Sequence, residues 1–266
     1  MDYKMDSGWR LHPIGGDTGQ AYMGIREEEK VFLKRNSSPF LAALSVEGIT
    51  PRLIWTKRVG NGDVLTAQEW LDGRVLTAKE MQSVEISNIL RRIHQSDHLL
   101  NMLRKVKGEV YDPETFLEQY QENLSEELNT NTFLSEIETY LTETIIYIKG
   151  FQYSVCHGDL NRKNFLLDKN ERLYLVDWEM VKISDPFSDL AMLLIQYVDR
   201  KDWGTWLEEY GIEATPQTTM CMEWYTLVNG LLLTKRYHQE GKSKKMNQQI
   251  LLMKETYENR LHTDNE

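Results

Sequence analysis

Val155-Cys156-His157-Gly158-Asp159-Leu160-Asn161-Arg162-Lys163-Asn164, followed by Leu173-Tyr174-Leu175-Val176-Asp177-Trp178, decides how this chain is read. A short apolar run ends in His157-Gly158-Asp159, and the polar turn after it places Asn164 five residues beyond Asp159. A second apolar run delivers Asp177 at its end. Three oxygen-bearing side chains so placed suit one metal-nucleotide site. In phosphoryl transfer of the kinase kind, the first aspartate accepts the proton of the attacking hydroxyl. The asparagine and the second aspartate hold magnesium ions that bridge the phosphates. The spacing therefore predicts Asp159 as the base, with Asn164 and Asp177 as Mg2+ ligands.

Composition sets the frame around this stretch. At 266 residues, with 41% apolar and 27% charged residues, the chain can bury a sizeable core as one large domain or two lobes. Its longest apolar runs, Leu190 to Ile195 and Leu231 to Leu233, fall far short of the roughly 20 residues that span a bilayer. No apolar signal region opens the chain, so export is not expected. Cys156 and Cys221 cannot make a disulfide framework and read as reduced thiols of a cytoplasmic protein. A formal charge of −10 argues against non-specific binding of nucleic acid or anionic membranes, which needs a basic excess. The local basic group Lys242, Lys244 and Lys245 reads as a solvated loop between two helices.

Periodicity changes once along the chain. Up to about Leu71, short β-like runs alternate with turns: Trp9 to Ile14, Gln20 to Ile25, Lys30 to Arg35, Leu53 to Val59 and Val64 to Trp70. From Thr77 onward the spacing is mostly helical, as in Met81, Val84, Ile86, Ile89, Leu90 and Ile93. Asp112-Pro113-Glu114 has the capping residue and first-turn proline of a helix start. The parse is an α+β, bilobal, protein-kinase-like fold. A small antiparallel β N-lobe, residues 1–71, precedes a larger helical C-lobe, residues 72–266, with a hinge at about 68–73.

The first lobe has parts suited to a nucleotide. Gly15, Gly16 and Gly19 form a glycine-rich hairpin whose amides can approach phosphates closely, although glycines in a hairpin are also plain turn chemistry. Val31-Phe32-Leu33-Lys34 is a β-run ending in one lysine, able to meet the α and β phosphates if a carboxylate steadies it. Glu47 is the expected carboxylate. A strand-end lysine and a surface glutamate are the alternative readings. The connector Gln68-Glu69-Trp70-Leu71 exposes strand-end backbone groups that adenine can pair with, and is equally a simple linker. The order of these parts, from glycine loop to metal aspartate, outweighs any one of them.

His157-Gly158-Asp159 with Asn164, Asp177-Trp178-Glu179, Asp185-Pro186 and Asp189-Leu190-Ala191 resemble the motifs of the aminoglycoside phosphotransferase and choline kinase family. More narrowly, Gly19-Gln20-Ala21-Tyr22, Lys34 to Pro39, Gln68 to Leu71 and Val176-Asp177-Trp178 resemble the CcrZ/YtmP-type kinases of Gram-positive bacteria. The resemblance implies ATP and Mg2+ as cofactors, Asp159 as base, and Lys34 and Glu47 as a phosphate-binding ion pair. It further implies that His157 buttresses the catalytic loop and that Asp189 accepts hydrogen bonds from it; a helix N-cap is the other reading of Asp189. Glu179 stands as a substrate or metal contact. Arg162 and Lys163 stand either as cations offsetting phosphoryl charge or as solvated surface.

Departures from the protein-kinase pattern point to the acceptor. Gly158 stands where many protein kinases carry an arginine, and the chain between Asp177 and Asp189 is too short for an activation segment. A small molecule bearing a hydroxyl is the expected acceptor. Trp224 and Tyr225, with Trp203, Trp206 and Tyr237, either wall its pocket or fill the core. A quaternary amine would call for an aromatic cage or clustered carboxylates. The narrow resemblance implies a sugar or nucleoside hydroxyl, ribose or deoxyribose, and a role in cell-cycle control with a division or replication protein as partner. Two other readings stay open: a nucleotide-binding regulator acting through protein contacts, and an aminoglycoside or choline/ethanolamine-type kinase.

Overall fold

The computed structural model describes residues 3–4, 8–14, 21–59, 62–148 and 153–260. In chain order, β1 (Tyr3–Lys4), β2 (Arg10–Pro13), β3 (Ala21–Arg26) and β4 (Glu29–Arg35) lead into the short helix α1 (Leu41–Val46). Three strands follow: β5 (Leu53–Arg58), β6 (Val64–Glu69) and β7 (Gly73–Val75). Helices α2 (Val84–His94) and α3 (Asp97–Lys105), strand β8 (Val110–Tyr111), and helices α4 (Pro113–Gln121), α5 (Glu126–Asn129) and α6 (Thr132–Thr144) come next. The last part holds β9 (Ser154–Cys156), β10 (Phe165–Asp168), β11 (Leu173–Leu175) and β12 (Lys182–Ser184). It ends in α7 (Phe187–Tyr197), α8 (Trp203–Tyr210), α9 (Pro216–Gln239) and α10 (Ser243–Glu258). No helix among the described residues is long and apolar enough to cross a membrane.

The residues fall into two compact units. The first comprises Met1–Thr77, Asn101–Val106 and Asn161–Met180. Its antiparallel sheet runs β1-β2-β3-β4-β6-β5. Alternation along β4 buries Val31 and Leu33 on one face, where they pack with Trp9, Leu11 and Ala67. Because successive side chains point to opposite faces of a strand, Lys34 falls on the other side. The unit boundary differs from the one expected at residue 71. Gly73–Val75 pairs with β10, so the first unit continues to Thr77 and includes the hairpin β10–β11. A glycine is required at that pairing, since a Cβ on Gly73 would stand 2.5 Å from the Leu167 carbonyl oxygen.

The second unit comprises Ala78–Leu100, Lys107–Leu160 and Val181–Glu266. Its axis is α9, which starts at the N-cap Thr215 with Pro216 in the first turn and a reciprocal bond pair between Thr215 and Thr218. Residues Cys221 to Leu231 of this helix are buried without interruption, because α7, α10, α4 and α6 all pack against it. The Asp112 carboxylate caps α4 through the Thr115 N–H at 2.8 Å, as the Asp-Pro-Glu sequence leads one to expect. A three-stranded sheet, β8-β12-β9, completes the unit. In it, β12 runs parallel to β8 and antiparallel to β9. Strand β12 has no signal in the sequence: three residues are too few for periodicity, and only the ladders to β8 and β9 make them a strand.

Candidate active site

Within the second unit, β9 delivers the chain into His157-Gly158-Asp159. Gly158 has φ +80°, a left-handed backbone that glycine adopts at little cost. This turn presents two consecutive backbone N–H groups to a single carboxylate on α7. Asp189 accepts from the His157 N–H at 2.6 Å and from the Gly158 N–H at 2.9 Å. His94, at the end of α2, completes the set: Nε2 lies 3.2 Å from Asp189 Oδ2 and Nδ1 2.8 Å from the Tyr210 hydroxyl. Asp189 is fully buried, which alone would raise its pKa. The bonds from His94 and Gly158 and the nearby imidazoles outweigh burial and hold the carboxyl below the ordinary range. Asp189 thus lies in the first turn of α7 and holds the loop; it does not cap its own helix. His157 is buried, and its Nδ1 accepts from the Asp159 N–H at 3.2 Å.

Two groups next to this loop carried no sequence signal. His94 was hidden among the apolar positions of α2, and Arg236, near the end of α9, was hidden in a surface stretch. The Arg236 guanidinium pairs with Glu240 at 3.0 Å, which raises its pKa, and the charge of Asp159 raises it further. Asp185 also has a role beyond its motif. Its Oδ1 accepts from the Phe187 N–H at 2.8 Å at the start of α7, while its buried Oδ2 has no hydrogen-bond partner among the described residues, and burial pushes the carboxyl up to about 7.

Within the first unit, the open end of the β10–β11 hairpin carries two of the predicted ligands. Phe165 pairs with Leu175, so Asn164 and Val176 stand just outside the ladder, tied by the bond from the Val176 N–H to the Asn164 carbonyl at 2.9 Å. Asn164 is buried and Asp177 follows directly after Val176. Asp177 has φ +64°, a conformation that costs a non-glycine residue of order 1–3 kcal/mol and clusters at functional sites. Trp178 is anchored by its indole N–H to the Leu175 carbonyl at 2.9 Å and packs edge-on against Phe40. That anchor directs Asp177 and Glu179 toward Lys34. The Lys34 ammonium lies 2.8 Å from Asp177 Oδ1 and 2.8 Å from Glu179 Oε1. Burial alone would lower its pKa; the two carboxylates outweigh burial and raise it.

The carboxylates found on Lys34 are Asp177 and Glu179, where the sequence reading expected Glu47. Glu47 is the half-buried C-cap of the six-residue α1 and has interactions of its own, whereas Asp177 and Glu179 meet the lysine directly. Gln68 is buried and spends its side-chain amide on the Pro51 carbonyl at 2.9 Å. The Glu69 N–H is bonded to the Arg52 carbonyl at 2.9 Å. Trp70 donates to Asp72, and Leu71 is half-buried beside it. Arg162 and Lys163 form an exposed turn capped by Asn161, with the Arg162 guanidinium on the Leu76 carbonyl at 3.1 Å. Gly15, Gly16 and Gly19 lie outside the described residues. Trp224 and Tyr225 are core: Trp224 donates to the Leu141 carbonyl at 3.0 Å and Tyr225 packs edge-on against Phe116. Their place as pocket walls is therefore corrected; the uninterrupted burial of α9 takes both.

Asn164, Asp177 and Glu179 are hard oxygen donors, the set that fits Mg2+ rather than a softer metal. A different trio, His94, Cys156 and Asp189, brings its ligand atoms within 4.8 Å of one another, but it is the support of the loop just described.

Comparison with solved structures finds the same fold. The choline kinase LicA from Streptococcus pneumoniae matches with TM-score 0.69 at 18% identity, covering 92% of this chain and 93% of that one. A choline/ethanolamine kinase family protein from Mesorhizobium loti matches with TM-score 0.69 at 16% identity, covering 94% and 88%. The GDP and kanamycin complex of APH(2")-IIia gives 0.64 at 13% identity, covering 94% of each chain. An uncharacterized protein of Metamycoplasma hominis is 20% identical over 196 residues, 72% of this chain; the match spans 37% of that relative's length. A profile of the phosphotransferase enzyme family, APH, matches residues 25–225. The chain belongs to that family and has its antiparallel β and helical parts.

Proposed function

We propose that this phosphotransferase transfers the γ-phosphoryl group of ATP to a hydroxyl of a small molecule. The observation that carries the reading is the Lys34–Asp177–Glu179 cluster, one ammonium and two carboxylates brought together from β4 and the open end of the β10–β11 hairpin, where the Asn164 carbonyl is tied to Val176. Lys34 serves as the phosphate cation, and Asn164, Asp177 and Glu179 are the residues that would hold Mg2+. When bound, the metal supplies charge neutralisation of the phosphates. Asp159 accepts the hydroxyl proton, on a loop whose backbone Asp189 fixes. Gly15, Gly16 and Gly19 with Gln68 to Leu71 are assigned to the nucleotide by motif order.

The finer reading is a sugar or nucleoside acceptor, in a cytoplasmic protein with a cell-division or replication partner. It rests on the resemblance of Gly19 to Tyr22, Gln68 to Leu71 and Val176 to Trp178 described above. The test is acceptor-dependent ADP release across sugars, nucleosides, choline and aminoglycosides. Asp159→Asn is expected to lower turnover by at least about a hundredfold, the scale of general-base catalysis, with ATP affinity kept. Undiminished turnover in that variant would remove Asp159 as the base.

A further inference from the structure

Lys182 was not singled out by any motif, yet it is the most unusual cation in the second unit. Its side chain is only 8% exposed on the central strand β12. The ammonium sits over two aromatic faces, 4.6 Å from the Tyr111 ring centroid and 4.8 Å from that of Phe116. Those rings meet edge to face at 5.5 Å, and Tyr225 backs Phe116 at 5.8 Å. Among the described residues the ammonium makes no hydrogen bond and no ion pair. Burial lowers its pKa, and Asp189, Cys156 and Glu109 raise it without reversing that effect. Two aromatic faces with carboxylates within electrostatic reach, here Asp189 and Glu109, are an environment that binds ammonium groups of ligands. Here the chain's own lysine fills it.

The box adjoins the catalytic loop. Lys182 stands opposite Cys156 in the β12–β9 ladder, three residues before Asp159. Asp189, whose charge Lys182 feels, is the carboxylate that holds the His157 and Gly158 N–H groups. A second cation, Arg236, lies within electrostatic reach of Asp159. Two cations thus flank the elements that carry this loop: Lys182 on β12, over the two rings, and Arg236 on α9.

We propose that Lys182 is a specificity-determining residue: its ammonium occupies the Tyr111–Phe116 aromatic site, so that quaternary-ammonium and amine acceptors are rejected and uncharged hydroxyl compounds are selected. This rests on the kinase reading above and deepens it by naming the acceptor class. Discrimination here comes from a built-in repulsive element rather than from an added contact.

The test is binding, which does not require turnover. Full-length wild type, Lys182→Ala and Lys182→Arg are titrated with tetramethylammonium chloride and with choline by calorimetry, after circular dichroism confirms folding. The expected result is at least about tenfold tighter binding of both cations to Lys182→Ala than to wild type, the scale of a desolvated cation–π site, with Lys182→Arg behaving as wild type. If the alanine variant does not fold, Lys182→Val, a β-branched residue suited to a strand, takes its place with the same expectation. Equal binding by wild type and the cation-free variant overturns the proposal, as does tight binding by Lys182→Arg. In the acceptor screen, choline turnover by wild type overturns it too. Absence of ADP release with every acceptor would instead sink the kinase reading, leaving the binding result to stand by itself.

Discussion

Burial of the Asp185 carboxyl makes the stability of the protein depend on pH. The group is raised from 3.8 to about 7 by burial; among the described residues the Phe187 N–H favours its charged form and Oδ2 has no hydrogen-bond partner. A raised carboxyl binds its proton more tightly folded than unfolded, so its contribution is fully present below pH 3.8 and lost as pH rises toward 7. From pH 5 to pH 8.5 that is about two units, or about 2.7 kcal/mol at 1.36 kcal/mol per unit, most of it below pH 7. Asp185→Asn removes the titration and keeps an oxygen for the Phe187 N–H. Its new amide N–H2 is unpaired, a pH-independent cost of about 1–3 kcal/mol. The assay is urea unfolding of both proteins at pH 5, 6, 7 and 8.5. The stability of wild type relative to Asp185→Asn is expected to fall by about 2–3 kcal/mol across that range, most of it below pH 7. A difference that stays constant within about 0.5 kcal/mol would refute the argument that burial governs this group.

Other variants probe the remaining parts. Lys34→Met removes the ammonium shared by Asp177 and Glu179 and is expected to weaken ATP binding by more than tenfold in a fluorescence titration; unchanged affinity would remove Lys34 from the nucleotide site. Gly158→Ala forces a Cβ onto a backbone at φ +80°, which costs about 1–2 kcal/mol, and is expected to slow phosphotransfer as the Asp189-bonded turn distorts. Full activity there would show that the turn tolerates displacement. Trp224→Ala empties a buried site and loses the bond to the Leu141 carbonyl, so chemical unfolding is expected to register a loss of about 3–5 kcal/mol. A loss below about 1 kcal/mol would place Trp224 outside the core.

Motif spacing and periodicity made much of this legible. Five of the six strands of the first sheet, β2 to β6, appear in the sequence because period-two runs bounded by turn residues need only local information, and Val31 and Leu33 versus Lys34 follow from that alternation; the two-residue β1 does not. The helix start at Asp112-Pro113 is local for the same reason. Partners are what local sequence does not supply. Glu47 is the next glutamate along in the order of parts, but a hairpin far downstream also brings Asp177 and Glu179 to the lysine. Trp224 and Tyr225 read as either wall or core, and only the packing of α9 decided for core.

By itself the sequence determined the class of chemistry, because Asp159, Asn164 and Asp177 lie close along the chain on turns that local residues specify. It also determined the α+β character, since hydrophobic period is a local property. Tertiary structure decided everything that depends on pairs distant in sequence: the division of the chain at Thr77, the anchoring of the loop by Asp189 and His94, the carboxylates on Lys34, and the aromatic box around Lys182. The physical reason is that burial and electrostatics act through space. A lysine on a three-residue strand says nothing about its charge or its company until Tyr111, Phe116 and Cys156 are folded around it.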